Sequence, residues 1–62
     1  MLITEEIAIK VRKKRAVEQL GKIELAKKIN ITTRTLAKIE QGDYDAPRRI
    51  YQSVMEWLTE DL

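Results

Sequence analysis

Apolar residues recur at helical spacing through most of this 62-residue chain. Ile3, Ile7, Val11 and the aliphatic stem of Lys14 repeat about every four residues and make one stripe of a helix. Residues 1 to 18 therefore read as a single helix starting near Thr4, whose hydroxyl can cap it. Glu5 and Glu6 fall in its first turn, where the helix dipole favours negative charge. Ile9 and Val17 lie off this stripe. Gln19, Leu20 and Gly21 read as the next turn, with Leu20 directed to the core and Gly21 a cap that lacks a side chain.

Between Gly21 and Gly42 the pattern changes to two short helices. Ile23, Leu25, Ala26 and Ile29 supply the apolar positions of the first, and Leu36 and Ile39 those of the second, with Ile31 between. Leu25–Ile29 is an i, i+4 pair and Leu36–Ile39 an i, i+3 pair, so each segment has one buried stripe. Asn30 follows the first stripe, and asparagine tolerates the left-handed conformation that commonly ends a helix. Thr32 can cap the next helix, expected over Thr33–Gln41, and Gly42 is expected to close it the same way Asn30 closes the first. The unit is helix, tight turn, helix.

The last helix is expected from about Ala46 to Glu60, with Asp45 as its cap and Pro47 in its first turn. It carries two stripes. Ile50, Val54 and Trp57 close the core; Tyr51, Met55, Leu58 and Leu62 line an adjacent face. Two destinations are open for the second stripe: Leu2, Ile3 and Ile9 of this chain, or the same stripe of a second copy.

Charge sharpens this picture. The net charge of +2 hides an uneven distribution, since all 12 basic residues lie between Lys10 and Arg49 with five acids, leaving +7 there. The first nine residues carry −2 and the last thirteen −3. A basic middle suits a polyanionic partner. The chain has no cysteine and no histidine, so neither a disulfide nor a zinc site is expected. No cofactor is implied. No apolar run reaches the ~18 residues of a membrane span, and Glu5 and Glu6 do not fit a signal peptide, so a cytoplasmic location is expected. An enzyme is not expected: Thr32–Thr35 and Ser53 lack a base partner, and no glycine loop could cradle phosphate.

The pattern Leu25-Ala26, Ile29-Asn30-Ile31, Thr32-Thr33, Leu36, Ile39-Glu40, Gly42 and Pro47 resembles the lambda-repressor-like helix-turn-helix family of Cro and CI repressors and XRE-type regulators. The likeness runs from Arg12 and Arg15 to Ile50, about two thirds of the chain. It implies an all-α fold, a compact bundle of four helices in a single domain over residues 1–62. It also implies a partner, double-stranded DNA, with the second short helix in the major groove.

The resemblance assigns residue roles. Base-reading positions fall on Thr33, Arg34 and Lys38, and the Arg34 fork can engage guanine O6 and N7 together. Phosphate contacts fall on Lys22, Thr32, Thr35, Gln41 and Arg48. Arg15 is expected to pair with Glu40 and lock the first helix to the recognition helix, the alternative being a phosphate contact. Where the family often has basic residues, the loop here carries Asp43 and Asp45. Because such proteins commonly read two-fold sites, a homodimer through Tyr51, Met55, Leu58 and Leu62 is the favoured destination of the second stripe. The function expected is a sequence-specific transcriptional repressor that occludes a promoter. The alternatives are a protein-interaction module of the same fold (an antitoxin or a repressor antagonist) and an excisionase-like architectural factor.

Overall fold

In the computed structural model, which describes residues 1–60, each helix starts and stops for a local reason. Helix α1 spans Glu5–Val17; the Thr4 hydroxyl accepts the Ile7 N–H at 3.2 Å, and Glu5 and Glu6 occupy the first turn. It ends at Gln19, whose φ of 57° is left-handed, and the Leu20 N–H then reaches back to the Arg15 carbonyl at 3.0 Å. Helix α2, Lys22–Lys28, ends the same way. Asn30 has φ 60°, and the Ile31 N–H bonds the Ala26 carbonyl at 2.8 Å. Asn30 thus does what its chemistry predicts. Gln19 does the same without an obvious sequence signal.

Helix α3 spans Thr33–Gln41 and is capped by Thr32, whose side chain accepts the Thr35 N–H at 3.1 Å. Gly42 closes it with φ 86° and ψ 173°, a positive-φ conformation different from the left-handed turn at Asn30. A Cβ at Gly42 would also sit 3.0 Å from the Glu5 Cα, so glycine is required both by conformation and by space.

The N-terminus departs from the expected single helix. Leu2–Ile3 form a strand, β1, paired antiparallel with β2, Tyr44–Asp45, in the register Leu2↔Asp45 and Ile3↔Tyr44. Ile3 alternates inward and is fully buried, whereas Leu2 faces solvent. The Met1 ammonium extends the link, donating to the Ala46 carbonyl at 2.6 Å and to Asp45 at 3.0 Å. Asp45 is therefore held by the ladder and is not the cap expected of it. Pro47 occupies the cap position, outside the first turn, and helix α4 runs from Arg48 to Leu58, shorter at both ends than expected.

Among the described residues the architecture is mostly helical, four helices plus this two-residue ladder. Trp57, Ile3, Leu25, Leu36, Ile39, Val11 and Val54 are the largest fully buried side chains, so every element except β2 contributes one. Ala8 and Ala46 are also buried; their small side chains let neighbouring elements approach. Leu20, Ile31, Ile50, Tyr51 and Leu58 pack partly against the core. Ile23, outside the Leu25–Ile29 stripe of α2, is 63% exposed. Ile9 and Val17, off the main stripe, are also exposed. No helix of the described residues is long and apolar enough to cross a membrane.

Lys14 closes the end of the bundle. Its stem is buried, its ammonium lies 5.0 Å from the Trp57 ring centroid, and it donates to the Trp57 carbonyl. Glu18 lies 3.7 Å from both Lys14 and Lys28, and Lys28 lies 3.8 Å from Glu60. These charges join α1, α2 and the end of α4.

Candidate nucleic-acid interface

The candidate site is built on α3, which has two unlike sides. Leu36 and Ile39 are fully buried, and Glu40 beside them is 9% exposed. A carboxylate so enclosed needs a partner, and Arg15 supplies one. Arg15 Nε donates to Glu40 Oε2 at 2.7 Å and Nη2 to Oε1 at 3.5 Å, while Nη1 reaches the Leu20 carbonyl at 3.3 Å. The guanidinium is thus consumed inside the fold. Of its two expected roles, the structure realises the ion pair.

On the opposite side Arg34, Lys38 and Gln41 are all exposed, at i, i+4 and i+7. Thr33 is exposed at the N-terminal end of the same helix. All three sequence-predicted base-reading residues are therefore exposed, Arg34 and Lys38 on one side of the helix and Thr33 at its N-terminal end. Lys22 is exposed at the start of α2, which packs against α3.

Thr32 and Thr35 are tied to each other. The Thr32 hydroxyl donates to Thr35 Oγ1 at 2.9 Å while accepting the Thr35 N–H. The Thr35 hydroxyl proton remains available to a further acceptor. Arg48 lies elsewhere. It opens α4 and lines a groove of about 580 Å³ with Met1, Tyr51, Gln52, Met55 and Glu56.

Tyr44 is a site residue that the hydrophobic pattern does not reveal. Its ring centroid lies 5.9 Å from the Lys38 ammonium, within cation–π range. Because Tyr44 pairs with Ile3, the ladder made by the chain's first residues sets the surroundings of a candidate base-reading lysine. Nothing in the spacing of Lys38 and Tyr44 signals this contact, which depends on the φ of 51° at Asp43 and on pairing with a distant strand.

Of the second stripe of α4, Tyr51 and Leu58 pack partly against the core, and Met55 is half-buried in the wall of the groove. Leu62 lies outside the described residues. Of the intramolecular cover considered for this stripe, Ile3 is fully buried in the core, whereas Leu2 and Ile9 are 52% and 37% exposed. Comparison with protein-family models, curated proteins and solved structures gave no significant match to this chain.

Proposed function

We propose that this chain is a sequence-specific DNA-binding transcriptional regulator, a lambda-repressor-like helix-turn-helix protein of Cro or XRE type that represses by occluding a promoter. One observation carries the reading. Helix α3 is anchored from behind by Leu36, Ile39 and the Arg15–Glu40 pair, and presents Arg34, Lys38 and Gln41 on its outer side with Thr33 exposed at its N-terminal end.

A rigidly backed helix about 10–12 Å across, with side chains, fits the major groove, which is about 12 Å wide. Arg34 would read a guanine through its paired donors, Lys38 a guanine or a phosphate, and Thr33 a base edge or a thymine methyl. Lys22, Thr35, Gln41 and Arg48 would set register on the phosphates, with Thr32 fixing the start of the helix. The longest dimension of the molecule is 26 Å, shorter than the ~34 Å between successive faces of the same groove, so one copy would cover a half-site.

The test is binding to mixed-sequence duplex across a salt series. The reading requires binding at low salt that weakens linearly in log–log form as salt rises. A protein-interaction module of the same fold would stay free at every salt concentration, and that result would end the proposal.

A further inference from the structure

A lysine at position 38 can meet either a guanine or a phosphate, and residue type alone does not choose between them. Its neighbour in space does. The Lys38 Nζ lies 5.9 Å from the centroid of the Tyr44 ring. Lys38 makes no ion pair among the described residues, so no carboxylate competes with the ring for it. Tyr44 is itself well fixed. Its side chain packs partly against the core, and its backbone pairs with Ile3, which is fully buried. Beyond that pair the Ala46 N–H donates to the Met1 carbonyl at 2.9 Å, which holds the same ladder. Positive φ at Gly42 (86°) and Asp43 (51°) turns the chain out of α3 into this ladder. The ring is thereby set beside the helix that precedes it.

We infer that Tyr44 is a positioning residue for Lys38: its ring holds the ammonium at one place beside α3 and makes Lys38 a reader of one base pair instead of a mobile phosphate contact. The inference rests on the proposed DNA-binding role of α3 and names what that helix recognises beyond Arg34. A lysine ammonium is a point charge on a flexible four-carbon stem, and such a charge satisfies a phosphate from many directions. A base edge accepts from few, so direction is what turns this cation into a source of sequence choice. The ring attracts the charge through its face, and the ammonium keeps donors for a further acceptor. Guanine, with O6 and N7 both accepting in the major groove, is the base that suits it.

The contact is tested without DNA and its consequence with it. In the free protein the Lys38 Hε protons should show an upfield ring-current shift, kept in Tyr44→Phe and lost in Tyr44→Leu. On sites selected from a random pool, Tyr44→Leu should relax the preference at one base pair by about two- to fivefold, the worth of an exposed cation–π contact. Its binding to random duplex should match that of the parent, and Tyr44→Phe should keep the preference. Lys38→Met should relax the same base pair, and adding Tyr44→Leu to it should relax nothing further. Lys38 is exposed, so that variant keeps the fold even where Tyr44→Leu does not. An unshifted Lys38 in the parent would overturn the inference. So would an unaltered preference in Tyr44→Leu, or a Lys38→Met that weakens all sequences alike and lowers the salt slope by about 1, as loss of a phosphate contact does. Those outcomes leave DNA binding by α3 standing. A parent that retards no duplex at low salt, with its ring-current shift intact, would instead overturn the DNA-binding reading and this role of Tyr44 with it.

Discussion

Arg15 Nε lies 2.7 Å from Glu40 Oε2, and this contact fastens α1 to the last turn of α3 across 25 residues of sequence. Glu40 is the more buried partner, so the pair is asymmetric: losing Arg15 strands a carboxylate, while losing Glu40 leaves a guanidinium that water can reach. Arg15→Met should therefore cost about 2–3 kcal/mol of stability, and Glu40→Leu with Arg15 intact less. The double change R15M/E40L should cost less than R15M alone, because no buried charge then lacks a partner. Urea unfolding of the four proteins checks this, and additive losses would show that the pair acts as two independent residues.

How much of this was legible beforehand depended on how local the cause was. Thr4, Asn30 and Thr32 act on backbone groups within a few residues of themselves, and their chemistry identifies them in the sequence. Leu36 and Ile39 were set by period, and Arg34 and Lys38 by falling opposite them. What escaped was non-local. The β1–β2 pairing joins residues more than 40 positions apart through two-residue strands, too short to show alternation. It moved Asp45 from a helix cap to a partner of the Met1 ammonium and brought Tyr44 beside Lys38. The Arg15–Glu40 pair spans 25 residues of sequence, and only the family resemblance pointed to it.

The two glycines should respond to substitution with opposite sign. Gly42→Ala forces a Cβ to within 3.0 Å of the Glu5 Cα at a φ of 86°, and should cost about 1–3 kcal/mol. Gly21 has φ −73°, a Cβ there would meet only Glu24 Oε1 at an ordinary 3.6 Å, and it caps α2 without a side chain. Gly21→Ser, with Glu24 three residues on, completes a capping box and should add roughly 0.5–1 kcal/mol. Thermal melts resolve both. A stabilising Gly42→Ala, or a Gly21→Ser with a lower Tm, would contradict this account of the two turns.

Gln19 holds a left-handed φ of 57° with a side chain ill suited to it. Gln19→Gly should raise stability by roughly 0.5–1 kcal/mol, a shift of several degrees in Tm for a domain of this size. An unchanged or lower Tm would mean that the glutamine side chain contributes something its exposed position does not reveal.

On DNA, Arg34→Ala should lose about 1–3 kcal/mol on a selected site and little on random duplex, because a base contact carries sequence information. Lys22→Ala should weaken both alike and reduce the salt slope by about 1. Selection from a random pool followed by titration of each variant separates the two. Equal losses for Arg34→Ala on both duplexes would remove it from base reading.

The central claim is that the outer face of α3 is the surface that meets DNA. Amide chemical-shift mapping during titration with duplex DNA tests this residue by residue. The account predicts that the large perturbations fall on Lys22, on residues 32–35, 38 and 41, and on Arg48, with Leu25 and Val54 little changed. Perturbations centred on Tyr51 and Met55 with α3 silent, or none at all at low salt, would contradict it.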